Sequence, residues 1–192
     1  MVENFYNRKC SLKYCSETGD LVIGRIIDRQ GEHYRLDLGD RFDGLLQYYD
    51  FEGATKRNRP MLEPGDLIYA RIQRTSMNTN AILTCKSNTN KKTWSSGEAE
   101  FGKLSEGYMF DLPIFSCQLY IVFRLLDSSS NEAEALETLG KTFKFEVVVG
   151  FNGKVWVKAK DHKNTIVISN LIQRSGLPKA EFELVLKRIK NL

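Results

Sequence analysis

Gly65-Asp66-Leu67-Ile68-Tyr69-Ala70-Arg71-Ile72 alternates in character from one residue to the next. Successive side chains of a strand point to opposite faces, so Ile68, Ala70 and Ile72 share one face and Tyr69, Arg71 and Gln73 share the other. The pattern predicts a strand with one face in a core and one face towards water. It recurs upstream in Tyr34-Arg35-Leu36-Asp37-Leu38, where Tyr34, Leu36 and Leu38 face inward and Arg35 and Asp37 outward. Between Gly19 and about Ser87, Gly, Pro and Asp separate short strands at 20–28, 33–38, 42–47, 66–74 and 81–86, with a long loop from Tyr49 to Gly65. Five strands at this spacing predict an OB-type β-barrel over residues 19–90, after a tail of residues 1–18.

Downstream the composition changes. Residues 87–103 are small and polar and mark a domain boundary or a surface linker. Tyr108 to Leu112 reads as a strand, and Pro113 is placed to open a helix through Leu126. A second helix runs from about Glu132 to Leu139 and stops at Gly140. Strands follow at Phe143 to Val149 and Lys154 to Ala159. Asp161 is placed to cap a helix through about Gln173, and Pro178 opens a last one with Phe182, Val185, Leu186 and Ile189 at helical spacing. The order is β-α-α-β-β-α with a helix appended, a KH-like domain over residues 91–192, and the fold class of the whole is α+β.

Of the residues, 42% are hydrophobic and 27% charged, enough apolar material for a core, which excludes a wholly disordered or fibrous chain. Lys plus Arg number 28 against 24 acids, a net charge of +4 that permits an anionic partner without requiring one. The most apolar stretch, Leu112 to Phe123, contains Pro113, Ser116 and Gln118 and is shorter than the ~20 residues of a membrane span. The N-terminus has an early acid and no apolar run, unlike a secretory signal, so the chain is expected in cytosol or nucleus. Cys10, Cys15, Cys85 and Cys117, with His33 and His162, are too scattered for a zinc site and read as free thiols.

Four features bear on chemistry. The loop Phe51-Glu52-Gly53-Ala54-Thr55-Lys56-Arg57-Asn58-Arg59-Pro60 packs three cations into four positions beside a barrel mouth. Lys56, Arg57 and Arg59 there are suited to phosphates, through an attraction that falls with salt, or to keeping a solvated loop soluble. On the outer face of the barrel, Arg35, Tyr69 and Arg71 project, with Tyr48 and Tyr49 nearby; such planes stack on unpaired bases, while Tyr48 and Tyr49, each taken singly, read first as covers of the barrel end. Gly150-Phe151-Asn152-Gly153 has the Gly-x-x-Gly form of a KH phosphate clamp. It lies, however, between two strands, where Asn-Gly with positive φ at Asn152 is a hairpin signal, and the KH clamp position, residues 127–131, has no glycine. Trp156 shares a face with Lys154 and Lys158 and reads as an interface anchor before a base-stacking platform. The terminal cations Lys187, Arg188 and Lys190 suit a helix C-terminus without any partner. Asp37, Asp40 and Asp43 read as a polar hairpin before a metal site, and no nucleophile or phosphate-loop pattern points to an active site.

Taken together, Gly19 to Gly24, the loop at 51–60, the strand at 65–72 and the run at 150–160 resemble the family of exosome cap subunits called ribosomal RNA-processing protein 40, in order over about residues 18–175. The resemblance implies an S1-type RNA-binding barrel joined to a KH domain in a non-catalytic subunit without a cofactor. Such a subunit sits with two sister cap subunits on a six-membered ring of RNase PH-like proteins and guides single-stranded RNA inward, ribosomal RNA precursors included. Separate nuclease subunits degrade the RNA from its 3′ end, in nucleus, nucleolus and cytoplasm. It also implies that Lys56, Arg57 and Arg59 face the RNA entry, and that the turn of Gly150, Asn152 and Gly153 is structural, bracing the domains. The family's additional N-terminal β-domain has no counterpart in residues 1–18, Gln47 stands where a histidine is common, and Arg35 lies near a usual phenylalanine. A free-standing ribosome- or translation-associated RNA-binding protein is the alternative.

Overall fold

The structure, a computed structural model, describes residues 13–55, 57–76, 78–89, 91–117, 140 and 143–173. The expected helix at 132–139, the region 127–131, the helix after Pro178, Cys10 and Lys56 lie outside the described residues. The chain forms two compact units, one of residues 1–105 with 150–152, the other of 106–149 with 153–192.

The first unit is built on β1 (Leu21–Gln30), β2 (His33–Asp37), β3 (Gly44–Phe51), β4 (Leu67–Ser76) and β5 (Thr79–Cys85). They follow the order β1-β2-β3-β5-β4, and β1 also pairs with β4, which closes the barrel. All pairings are antiparallel except β3 with β5. Closure leaves none of these strands as a free barrel edge, the usual device by which small β-proteins avoid edge pairing. The expected alternation holds. Tyr34, Leu36, Ile68, Ala70 and Ile72 are buried, each large aliphatic among them adding roughly 1.5–3 kcal/mol on removal from water.

A β-bulge between Ile26 and Asp28 shifts the register of β1 against β2. One extra residue reverses the parity of every side chain beyond it, so Arg29 stands opposite Tyr34 and Asp28 opposite Arg35. Residues 91–105, expected with the second domain, belong to the first unit. Here β6 (Gly102–Leu104) pairs with Leu67 to Tyr69 of β4, along the stretch where β5, which reaches only Arg71, leaves that edge uncovered. Phe101 is buried just before it, and the Trp94 N–H donates to the Glu52 carbonyl at 3.0 Å.

The second unit holds β7 (Tyr108–Asp111), β8 (Phe145–Val149), β9 (Lys154–Ala159) and α1 (His162–Gln173). Its antiparallel sheet has the order β7-β9-β8, and residues 114–117 are helical. Phe110, Val155 and Val157 form one core with Cys117, Ile168 and Leu171. Ahead of α1 the Asp161 carbonyl accepts from the Thr165 N–H at 3.0 Å, and its carboxylate accepts from the Asn164 side chain. No described helix is long and apolar enough to cross a membrane.

Candidate nucleic-acid interface

The loop after β3 is fastened at both ends. Thr55 N–H donates to the Asn58 carbonyl at 2.8 Å, and Asn58 N–H returns to Thr55 Oγ1 at 3.1 Å, which ties Thr55 to Asn58. Further on, the Tyr34 hydroxyl donates to the Pro60 carbonyl at 3.0 Å and accepts from Leu62 N–H. The basic segment therefore stands on a fixed base. Arg57 is exposed at its tip and has no carboxylate partner among the described residues.

Arg59 is placed differently. Its guanidinium lies 4.7 Å from the centroid of the Tyr48 ring. Arg29 lies 4.9 Å from the same centroid, and its Nε donates to the Tyr48 hydroxyl. The hydroxyl donates in turn to the Gly31 carbonyl at 2.7 Å, and the Tyr34 ring packs at 4.6 Å between centroids. Tyr48 is 1% exposed, so its ring covers the barrel end and is not open to a base. A cation over an aromatic face gains about 0.5–1 kcal/mol at an exposed site, enough to bias where each guanidinium rests. The hydrogen bond to Tyr48 raises the Arg29 pKa further above its already high value, so its charge is permanent.

The outer-face trio does not form one group. Arg35, on β2, sits between Asp28 at 3.2 Å and Asp43 at 3.4 Å. Tyr69 and Arg71, on β4, instead converge on Phe101, with ring centroids 5.3 Å apart for Tyr69 and the Arg71 guanidinium 5.1 Å from the Phe101 centroid. Phe101 is buried, so the segment read as a linker covers part of the face that Tyr69 and Arg71 were expected to offer.

The Gly150 to Gly153 turn is held by its asparagine. Asn152, 7% exposed, accepts from Ile23 N–H at 3.3 Å and donates to the carbonyls of Ile23 and Leu38, both at 2.8 Å. Phe151 N–H donates to the Leu21 carbonyl at 2.7 Å. Positive φ at Asn152, expected for an Asn-Gly hairpin, is not found; Gly153 carries it, at 79°. A Cβ at Gly153 would also fall 2.9 Å from the Leu112 carbonyl oxygen, so two constraints fix glycine there. With its amide fully engaged, Asn152 has no donor left for a phosphate. Trp156 is 4% exposed and packed over Gly107, where an added Cβ would meet the indole at 2.1 Å, so its ring is offered neither to a base nor to a second protein.

Each of the three clustered aspartates is engaged. Asp37 faces Arg25 at 3.6 Å, Asp40 accepts from Ser16 N–H at 2.9 Å, and Asp43 faces Arg35. Among the described residues no three His, Cys, Asp or Glu side chains gather as a metal site would require. Cys85 and Cys117 are buried free thiols; burial, seconded by the charge of Asp111, pushes the Cys117 pKa up to about 12, far from thiolate reactivity.

Two family models match the chain, one described as the S1 domain of exosome complex component RRP40 over residues 14–96 and one as a KH domain over residues 107–163. A Dictyostelium discoideum protein provisionally named exosome complex component rrp40 is 37% identical over 163 residues, 85% of this chain and 63% of its own length. Exosome complex component RRP40 of Drosophila melanogaster is 33% identical over 171 residues, 89% of this chain and 66% of its own. The chain thus spans just under two thirds of either relative. A crystal structure provisionally named an exosome complex RNA-binding protein shares the fold at a TM-score of 0.66, covering 93% of this chain and 96% of that one at 17% identity.

Proposed function

This chain belongs to the family of exosome complex component RRP40, and from that premise we propose that it is a non-catalytic, RNA-binding cap subunit of the RNA exosome. In this reading the S1-type barrel guides single-stranded RNA towards a ring of RNase PH-like subunits, and the KH-like unit docks to protein. Hydrolysis, including that of ribosomal RNA precursors, belongs to other subunits, in nucleus and cytoplasm.

The observation that carries the proposal is Arg57, exposed at the tip of a fastened basic loop with no carboxylate partner among the described residues. A cation so placed attracts the phosphate backbone by charge and without regard to sequence. Lys56, beside it, adds to the same charge. The engaged amide of Asn152 and the buried ring of Trp156 favour RNA contact at the loop over a KH-type clamp.

Reconstitution with RNase PH-like ring subunits tests this. The chain should enter the ring assembly and raise its affinity for single-stranded RNA. The triple change Lys56→Ala, Arg57→Ala, Arg59→Ala should enter equally well but bind RNA more weakly, with a flatter dependence on salt. Recovery of ribosomes without ring subunits from cell extract, or RNA cleavage by the purified chain that is lost on changing Asp37 or Asp43, would overturn the reading.

A further inference from the structure

Tyr48 is, among the described residues, the one ring that two guanidiniums share. Arg29 comes from the end of β1 and Arg59 from the loop after β3, and both are held against a side chain that is itself buried. Two like charges on one ring repel, and neither guanidinium has a carboxylate within ion-pair distance among the described residues. Arg25 and Arg35, on the neighbouring strand surface, each have one. Arg29 Nε is taken by the Tyr48 hydroxyl, which fixes the plane of the guanidinium while its terminal nitrogens have no described protein partner. Arg29 is exposed and Arg59 partly so. A planar, oriented and uncompensated pair of this kind fits the forked oxygens of a phosphodiester, which supplies the missing negative charge and accepts two parallel hydrogen bonds from one guanidinium.

We propose that Arg29 and Arg59, seated on Tyr48, form a phosphate-binding pair that takes a backbone phosphate of single-stranded RNA at the root of the basic loop. The inference rests on the RNA-binding reading above and adds Arg29 to it. Arg57 follows on the same loop two positions before Arg59, so a strand of regularly spaced phosphates suits this surface better than a lone inorganic ion. Arg59 then has two tasks, since it also ties the loop to the barrel end.

The test is fluorescence anisotropy of a labelled oligouridine of about 12 nucleotides, titrated with the full chain over a range of KCl concentrations. Arg29→Gln should weaken binding about 3–10-fold near 0.1 M salt and lower the salt slope by about 1. Arg25→Gln, which removes an arginine that is also exposed but is paired to Asp37, should change neither. Circular dichroism checks that both variants fold, and the exposure of Arg29 makes its loss tolerable. A normal affinity and slope in Arg29→Gln, with Arg57→Gln impaired, would overturn this inference and leave the RNA-binding reading standing. Loss of slope in neither variant would overturn both. In a second arm, inorganic phosphate replaces chloride at fixed ionic strength. Should phosphate perturb the Arg29 side-chain resonances while RNA affinity stays equal in the wild type and Arg29→Gln, the pair would be a seat for the free ion, contrary to the proposal.

Discussion

Asn152 shows how much can rest on one amide. Its three hydrogen bonds end on Ile23 and Leu38, 129 and 114 residues away in the chain. Asn152→Ala strands one buried N–H and two buried carbonyls, so it should cost about 1–3 kcal/mol. Asn152→Asp should cost more, because a carboxylate keeps the acceptor for Ile23 N–H but turns negative charge on two carbonyl oxygens that need donors. Urea midpoints of the two variants measure this, with unchanged RNA affinity in the folded protein. If Asp were tolerated better than Ala, shape would matter there and hydrogen bonding would not. The sequence made the turn legible from Asn-Gly between two strands but gave the wrong reason for the asparagine, since contacts across more than a hundred residues leave no trace in local spacing. Arg29 escaped notice for a related reason. Simple alternation assigns Asp28 to the face of Tyr34, and a bulge at Ile27, which no turn residue announces, hands that face to Arg29.

Strands β1 to β5 were legible because each has one buried face and period-two patterning survives in a closed barrel. Strand β6 was not, since its three residues sit in a polar run and take their order from the uncovered edge of β4. An ion pair helps to hold it: Lys103 Nζ donates to Asp66 Oδ2 at 2.7 Å, and Glu63 N–H donates to the same carboxylate at 3.0 Å. Burial alone would raise the Asp66 pKa, but these two hydrogen bonds and the Lys103 charge outweigh it and hold the group below its ordinary 3.8. A folded-state value below the unfolded one means that the pair stabilises fully above the unfolded value and is lost as pH falls through the folded one. Strand β6 should therefore stay docked at neutral pH and loosen below about pH 4. Asp66→Asn should speed amide exchange at Gly102 to Leu104 by a factor of about 2–5 at neutral pH, as loss of a partly exposed pair implies. Equal exchange in the two proteins would show that backbone pairing and Phe101 suffice to hold the strand.

At the scale of the whole molecule, the division into a barrel and a KH-like unit was legible from the change in composition, but the first unit's content was not. It is discontinuous, taking residues 150–152 from between β8 and β9, which belong to the second. The barrel thus contains Phe151 N–H bonded to the Leu21 carbonyl and the Asn152 amide bonded to β1 and to Leu38, groups that no contiguous fragment ending before residue 150 can supply. A fragment of residues 1–105 keeps every barrel strand and β6, so it should fold. It should nevertheless unfold at lower urea than the barrel of the full chain, by about the 1–3 kcal/mol that follows from leaving buried polar groups of Ile23 and Leu38 without partners. Asn152→Ala in the full chain should close most of the gap between the two, because it removes the three side-chain bonds while keeping the second unit and the Phe151 N–H bond to the Leu21 carbonyl. Exchange at Ile23 N–H, which the Asn152 side chain accepts, reports the difference at one atom. Equal urea midpoints for fragment and full chain would mean that water replaces the amide without loss and that the three inserted residues contribute nothing to the barrel's stability.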